Sequence, residues 1–282
     1  MTTPLVSVIV PCFNLGEFLP ETCESVRSQT YATWECIVVD DGSVDDTEQV
    51  ARRYCEKDRR FRYLKKDNGG PSGARNTGMH AASGELFLPW DADDLFDPSY
   101  LDKAVRVLQS DSRVGFVSCY VEMFGAGRWI VRDHKSGGSE NYVFWNNNVA
   151  CALLRRKVWE DVGGYDETMR EGYEDWDFWL SATEKGWLCH IIEEPLFKYR
   201  RRQSSRYNGS ETKRAEFVKH IVAKHKEVFC AHVEEAVYQR ERALIKQSLA
   251  LDALQKSTEY RLGKALLHPW RALKRIAAVG RS

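Results

Sequence analysis

The chain has 282 residues, enough for one large domain or a domain with an appendage, and its 41 basic residues balance 41 acidic ones. Zero net charge gives no global attraction to nucleic acid, and no run approaches the ~18 apolar residues of a membrane span. The opening MTTPLVSVIVPCFN has neither a basic leader nor a small-residue cleavage site, so no signal peptide is expected. The cysteines (Cys12, Cys23, Cys36, Cys55, Cys119, Cys151, Cys189 and Cys230) sit in apolar segments without a CxxC pair. Buried, reduced thiols and a cytoplasmic location are therefore expected.

In chain order, LVSVIV is a near-continuous apolar run ending at Pro11, as in a strand covered on both faces. Leu19, Cys23 and Val26 follow at helical spacing. WECIVV is a second strand, halted by DDGS, after which Asp45 or Asp46 caps a helix with Val50, Tyr54 and Cys55 on one face. RFRYLK is a third strand. The Gly-rich NGGPSGARNTG leads into a short helix, and ELFLPW is a fourth strand that runs into DADDLFD. Asp97 and Pro98 open a helix carrying Leu101, Val105 and Leu108, and VGFVSCYV is another strand. From about residue 122 the pattern loosens into GAGRW and KSGGSE loops, then YVFWNNNVA, the short helix RRKVWEDV and GGYDETMREGYEDWDFW. Residues 211 to 257 read as long helix, with Phe217, Ile221, Val222, Val228 and Phe229 on one stripe.

Alternating strands and helices predict an α/β fold, a mostly parallel sheet flanked by helices with right-handed crossovers. Ligands of such sheets bind beyond the carboxyl ends of the strands. Asp40 and Asp41 end the second strand, while Asp91 and Asp93 follow the fourth. Extended chain puts Asp91 and Asp93 on one side with Ala92 between them. The acidic run is then either a polar turn with Asp97 as a helix cap, or a site for a hard cation such as Mg²⁺ or Mn²⁺. A calcium loop of the EF-hand kind is excluded, because Leu95 and Phe96 stand where it needs a ligand and a glycine.

VVDDGS supplies carboxylates suited to a nucleobase N–H and ribose hydroxyls. GGPSGARN is neither a Rossmann GxGxxG nor a Walker loop; it sets Arg75 just inside a helix start, as a phosphate or base contact or as a surface arginine. Trp179 is expected in the core, whereas Trp145, Trp176 and Tyr173 are candidates to stack on a sugar. Asn146, Asn147 and Asn148 fit either sugar hydroxyls or a turn.

VSVIVPCFN, VVDDGS, NGGPSGARNTG, DADD and VGGYDETMREGYEDWDFWL, in this order, resemble the family 2 glycosyltransferases with the GT-A nucleotide-sugar-binding fold. The likeness runs from roughly residue 5 to residue 205. It implies a nucleotide-sugar site of Pro11, Asp40, Asp41, Arg75, Asp91, Ala92 and Asp93. Asp40 would contact the base, and Asp91 and Asp93 would form the DxD pair that holds Mn²⁺ or Mg²⁺, with Asp93 the direct ligand. Asp175 would be the catalytic base with Glu174 beside it, and Trp145 an acceptor contact. One base with no second carboxylate nucleophile implies a single displacement with inversion. Many relatives carry a histidine two positions after the segment matching PLFKYR; here Arg202 stands in that place. Arg200 and Arg202 then become candidates to neutralise a diphosphate directly. The QxxRW motif of processive members is absent, which implies one sugar per encounter.

The implied organisation is a nucleotide-sugar-binding half (1 to 100), an acceptor-binding half (101 to 207) and a helical extension (208 to 282). Its last stretch, YRLGKALLHPWRALKRIAAVG, sets Leu262, Leu266, Trp270, Leu273 and Ala277 on one face and Lys264, His268, Arg271 and Arg275 on another. Residues 258 to 282 would thus lie on an anionic membrane or dock with a solvated basic edge. The implied partners are a nucleoside-diphosphate sugar donor, most commonly UDP-linked, and a glycan or glycolipid acceptor of bacterial surface assembly. Two other readings compete. A nucleotide-sugar pyrophosphorylase would want a basic Gly-rich loop after the first strand, where PCFNLGEF stands; a non-catalytic binding relative should have lost the base or the DxD. A hydrolase with two opposed carboxylates gives no reason for DDGS.

Overall fold

β1 (Val6–Cys12) and β2 (Trp34–Asp40) alternate apolar side chains to both faces, which commits them to the middle of a covered sheet. The computed structural model, which describes residues 3–170, 172–202, 214–258, 260 and 262, places them there. Around them lie β3 (Phe61–Lys65), β4 (Leu86–Pro89), β5 (Leu95–Phe96), β6 (Val114–Gly125), β7 (Trp129–Val131), β8 (Leu153–Arg155) and β9 (Leu188–Arg201). The sheet order is β3-β2-β1-β4-β8-β6-β9-β5, with β7 on β6. The pairs β3-β2, β2-β1, β1-β4 and β6-β9 are parallel; β8 is antiparallel to both β4 and β6.

Helices α1 (Leu19–Arg27), α2 (Thr47–Lys57) and α4 (Tyr100–Ser110) pack on the face that carries Val6, Val8 and Val10. On the other face, α3 (Gly70–Ala81), α5 (Arg156–Val162) and α6 (Glu174–Glu184) cover Ile9, Ile37 and Val39. This is the period of two that β1 and β2 spell out. The α3 helix comes so close to the sheet that a Cβ on Gly78 would stand 2.4 Å from Cγ2 of Ile9. Residues in the middle of α3 therefore have fixed depth, and Arg75, one turn earlier, is fixed with them.

The chain moves from β1 out to β2 and β3, then back across β1 to β4. That reversal opens a crevice at the carboxyl ends of β1 and β4, the topological switch point of an open α/β sheet. Asp40, Asp41 and the 91–94 stretch all leave their strands at that edge.

One sequence expectation is corrected here. Residues 211 to 257 are not one helix: Arg214–Lys224 (α7), Lys226–Ala231 (α8) and Val233–Lys256 (α9) are separate. The interruption at His225 has a cause. Its ring is buried, with Nε2 2.9 Å from Oδ1 of Asp177 on α6, while Lys224 reaches Oδ2 of Asp177 and Oδ2 of Asp166 at 2.9 Å each. Ile221 is likewise fully buried. Accordingly α7 and α8 belong to the compact unit that ends at Ala231. The second unit, from His232 onward, contains α9, whose Val237, Leu244, Ile245 and Leu251 are exposed. The expected boundary at 207/208 and nearly all of residues 258 to 282 lie outside the described residues. No described helix is long and apolar enough to cross a membrane. The cysteines are free thiols, all buried except the half-buried Cys55 and the exposed Cys230.

Candidate active site

The loops after β1 and β2 are stitched into one wall. Asn14, held at φ 53°, gives its N–H to the Ser43 hydroxyl and receives the Val44 N–H, while Oδ2 of Asp45 takes the Gly16 N–H at 2.9 Å. Asp45, not Asp46, also serves the start of α2, through the Thr47 N–H and hydroxyl. Pro11, half-buried beside Val39, closes the floor of that wall. Asp40 is fully buried; Oδ1 accepts the Ser43 N–H at 2.7 Å and Oδ2 the Tyr63 hydroxyl at 2.7 Å. Asp41 works on the next loop. Its Oδ1 takes Nζ of Lys66 at 2.8 Å and the Gly69 N–H at 2.9 Å, and its Oδ2 takes the Gly70 N–H at 2.8 Å. This arrangement fixes the entry to α3, and Gly70 at φ 81° makes the bend that only a residue without Cβ adopts freely.

Arg75 is where distant parts of the chain meet. Only 3% exposed, it donates from Nη1 to Oε1 of Glu174 at 2.7 Å and from Nη2 to Oδ1 of Asp91 at 2.9 Å. Nε has no partner. Burial works against its charge, and the two carboxylates more than offset that, raising its pKa well above the ordinary arginine value. The buried yoke replaces the surface arginine among the readings of GGPSGARN. Its neighbour Asn76 ties the same helix to the segment before α6, through the Tyr165 carbonyl and Oε1 of Glu167 at 2.9 Å each.

The acidic stretch is a turn and not extended chain: the Asp94 N–H donates to the Asp91 carbonyl at 3.1 Å. The premise that Asp91 and Asp93 share a side by strand alternation is thereby corrected, because a turn brings its first and fourth residues together. Carboxylate oxygens of Asp91 and Asp94 and the Cys151 sulfur all lie within 4.8 Å of one another. Asp93 turns to Arg202, with Oδ2 2.8 Å from Nε as an ion pair that lacks a directed hydrogen bond. Asp94 is buried; Oδ1 takes the Arg200 N–H at 2.7 Å and Oδ2 has no partner among the described residues. Burial first, then the neighbouring acids, raise the pKa of Asp93 and, far more, of Asp94. Ala92 is fully buried, its carbonyl accepting the Thr22 hydroxyl. Arg200 is spent on structure: Nε reaches the Asp93 carbonyl and Nη2 the Glu21 carboxylate. Asp97 accepts the Ser99 N–H and hydroxyl, and the helix begins after it, at Tyr100.

Asp175 lies in the first turn of α6, behind Tyr173, which holds φ 64°. A left-handed tyrosine costs about 1–3 kcal/mol and marks a position over-determined by its surroundings. Half-buried Asp175 accepts the Trp176 N–H on Oδ1 and the Asn146 amide on Oδ2, both at 2.8 Å. Burial, then the Glu174 carboxylate, push its pKa up to about 7 against the pull of Arg75. Trp145, half-buried and packed on Phe144, is adjacent to Asn146 along the chain. Trp176 is 2% exposed and donates to the Tyr142 carbonyl, so it is core and does not stack on a sugar; Trp179 stacks on Phe116 in the interior.

The model of glycosyl transferase family 2 matches residues 7–170, more than half of the chain. The chain belongs to that family. An uncharacterized glycosyltransferase of Rickettsia bellii is 30% identical over 194 residues, 67% of this chain and 28% of that protein. This chain therefore spans well under two thirds of that relative's length, as it does of its Rickettsia felis counterpart's, where it covers 32%. Staphylococcus aureus TarS 1-349, solved with UDP-GlcNAc, superposes with a TM-score of 0.66 at 18% identity, covering 82% of this chain and 72% of that one. The mannosyltransferase PcManGT of Pyrobaculum calidifontis, solved with GDP-Man and Mn²⁺, also gives 0.66, at 22% identity over 98% of this chain and 84% of that one. The fold is the GT-A type.

Of the residues expected from the family pattern, Arg75, Asp91 and Glu174 are joined directly, and Asp93 joins Arg202. Asp40 and Asp41 stand at the end of β2, one strand beyond β1 from β4, each committed to holding a loop. Sequence reasoning counted Asp94 only as a member of the acidic run and gave no site role to Cys151, Tyr63 or Lys66. It also passed over Asn146 as a partner of Asp175, for which a run of three asparagines was the only signal.

Proposed function

We propose that the chain transfers one sugar from a nucleoside-diphosphate sugar, UDP-linked first among the candidates, to a hydroxyl of a glycan or glycolipid acceptor with inversion. The observation that carries this reading is Arg75 bonded at once to Asp91 and Glu174, which supports reading the acidic turn and the start of α6 as parts of one site. Complexes with UDP-GlcNAc and GDP-Man among proteins of the same fold support the donor class.

The acidic turn fits a divalent cation on its own chemistry. Asp93 and Asp94 are disfavoured as neighbouring anions, and Oδ2 of Asp94 is buried without a partner among the described residues. Asp91 and Asp93 would hold Mn²⁺ or Mg²⁺, with Asp94 behind them, and the bound ion supplies Lewis-acid stabilisation of charge on the leaving diphosphate. Pro11, Asp40 and Asp41 would line the nucleoside side. Arg202 is the better placed of the two arginines for phosphate oxygens, since Nε and Nη2 of Arg200 already bond the Asp93 carbonyl and Glu21. Asp175 would take the proton of the acceptor hydroxyl. Glu174 is tied to Arg75, which leaves Asp175 as the single free base and a one-step displacement as the consequence. Trp145 would contribute an aromatic surface to the acceptor. Residues 258 to 282 would bring the enzyme to an anionic membrane.

The test is nucleotide release from UDP-, GDP- and dTDP-sugars with Mn²⁺ and a panel of alkyl glycosides. At least one donor is expected to give acceptor-dependent release well above an Asp175→Asn background. Release that never exceeds that background with any donor removes the reading.

A further inference from the structure

We propose that Asn146 is a positioning residue for Asp175: its amide N–H fixes one carboxylate oxygen, while its own buried oxygen has no partner among the described residues. The inference rests on reading Asp175 as the base. Nδ2 of Asn146 stands 2.8 Å from Oδ2 of Asp175, and the Trp176 N–H stands 2.8 Å from Oδ1. Each carboxylate oxygen therefore has one fixed donor. That sets the rotation of the group and leaves a further lone pair on Oδ2 for a substrate proton.

The unpaired oxygen is the telling feature. Buried amide oxygens are nearly always satisfied, and an orphan is disfavoured. Turning the amide by half a turn would give its N–H elsewhere and set its oxygen against a carboxylate. Among the described residues the oxygen thus stays unsatisfied while the N–H is kept on Asp175. The rest of the loop is built to hold this pose. Asn147 grips the backbone of Lys135 twice, through Oδ1 at 3.0 Å and Nδ2 at 2.7 Å. Asn148 accepts the Tyr142 hydroxyl and donates to the Val149 carbonyl. The Tyr142 carbonyl in turn accepts the Trp176 indole N–H at 2.8 Å, which ties the loop to the helix of Asp175. Of the three asparagines, only Asn146 is turned to the site. The charged and titratable groups that act on Asp175 are Glu174 on its own helix, Arg75 from α3 and Tyr165 from the segment before α6. Asn146 is the neutral donor among them.

The full chain labelled with aspartate carrying ¹³C in its side-chain carboxyl reports the titration of Asp175, its signal assigned by its loss in Asp175→Asn. Asn146→Ala is expected to move the midpoint upward by about one pH unit or more, the size of one charge-assisted hydrogen bond. Asn146→Asp should move it further, and Asn146→Ser, which keeps a donor, should fall between Ala and the parent. If Asn146→Ala fails to fold, the Ser and Asp variants decide the matter by the same ordering. A midpoint that stays in place in folded variants, even with reduced turnover, overturns the proposal. Full transfer by Asp175→Asn would instead remove the base assignment and leave the titration result standing.

Discussion

Asp175→Asn is expected to lower transfer by about 10²–10⁴-fold, the usual share of a positioned general base, while binding of the donor is retained. The separation follows from where the side chain sits. Asp175 is hydrogen-bonded to Trp176 and Asn146 and, among the described residues, to none of the groups at the strand ends, whereas Asp91 and Asp93 carry the contacts with the arginines. The same residue dictates the pH dependence. With a pKa of about 7 in the folded protein, Asp175 must lose its proton to act, so activity should rise tenfold per pH unit below about 7 and level off above. Stability should move the other way. The unfolded carboxyl ionises near its ordinary value of about 3.9, so the folded state binds the extra proton between there and about 7, and the associated stability is lost as pH rises through that window. Asp175→Asn removes this loss and should therefore flatten thermal stability against pH over that range. A variant that keeps the parent's acid limb, measured as initial rates from pH 5 to pH 9, would place the titrating base elsewhere.

Arg75→Met should produce the largest loss of stability at the site. Removing one member of a buried ion network leaves its partners uncompensated, at a cost of about 3–5 kcal/mol. Glu174 meets that condition fully; Asp91, with its side chain 31% exposed, is partly relieved by water, so the lower end applies. At roughly 2–4 °C per kcal/mol for a domain of this size, the melting temperature should fall by about 6–12 °C. Arg75→Lys should recover little, because one ammonium lacks the planar fork that spans two carboxylates. Adding Glu174→Met to Arg75→Met should restore part of the loss, since it removes the stranded charge. Calorimetry of the three variants checks this; a melting temperature within 2 °C of the parent for Arg75→Met would show that the yoke carries no stability.

The central strands were legible because little competes with their pattern: β1 and β2 are largely apolar on both faces, and the apolar runs stop at Pro11 and at Asp40. The helices on α1, α2 and α4 were legible through their buried stripes, and the ordered motifs placed the strand-end acids at one edge. What escaped had physical reasons. The 91–94 stretch follows a strand directly, so alternation was carried one step too far; the turn is set by the Asp94 N–H on the Asp91 carbonyl and by Thr22 and Arg200 from elsewhere in the chain. The long strand β9, Leu188–Arg201, mixes Glu193, Glu194 and Pro195 into its middle and owes its length to β6 beside it. The break between α7 and α8 depends on a buried histidine finding Asp177, a partner 48 residues away that no local propensity encodes. Arg75 was noted for its chemistry, yet its actual use, joining residues 16 and 99 positions away, is written only in three dimensions.

Calorimetric titration of UDP, GDP and dTDP into the protein, with and without Mn²⁺ and again in Asp93→Ala, addresses the shared site most directly. The account predicts that at least one nucleoside diphosphate binds at least tenfold more tightly with Mn²⁺, and that Asp93→Ala abolishes the metal-dependent gain. Binding that is equally tight without the ion and in Asp93→Ala, or no binding of any of the three with Mn²⁺ present, would contradict it.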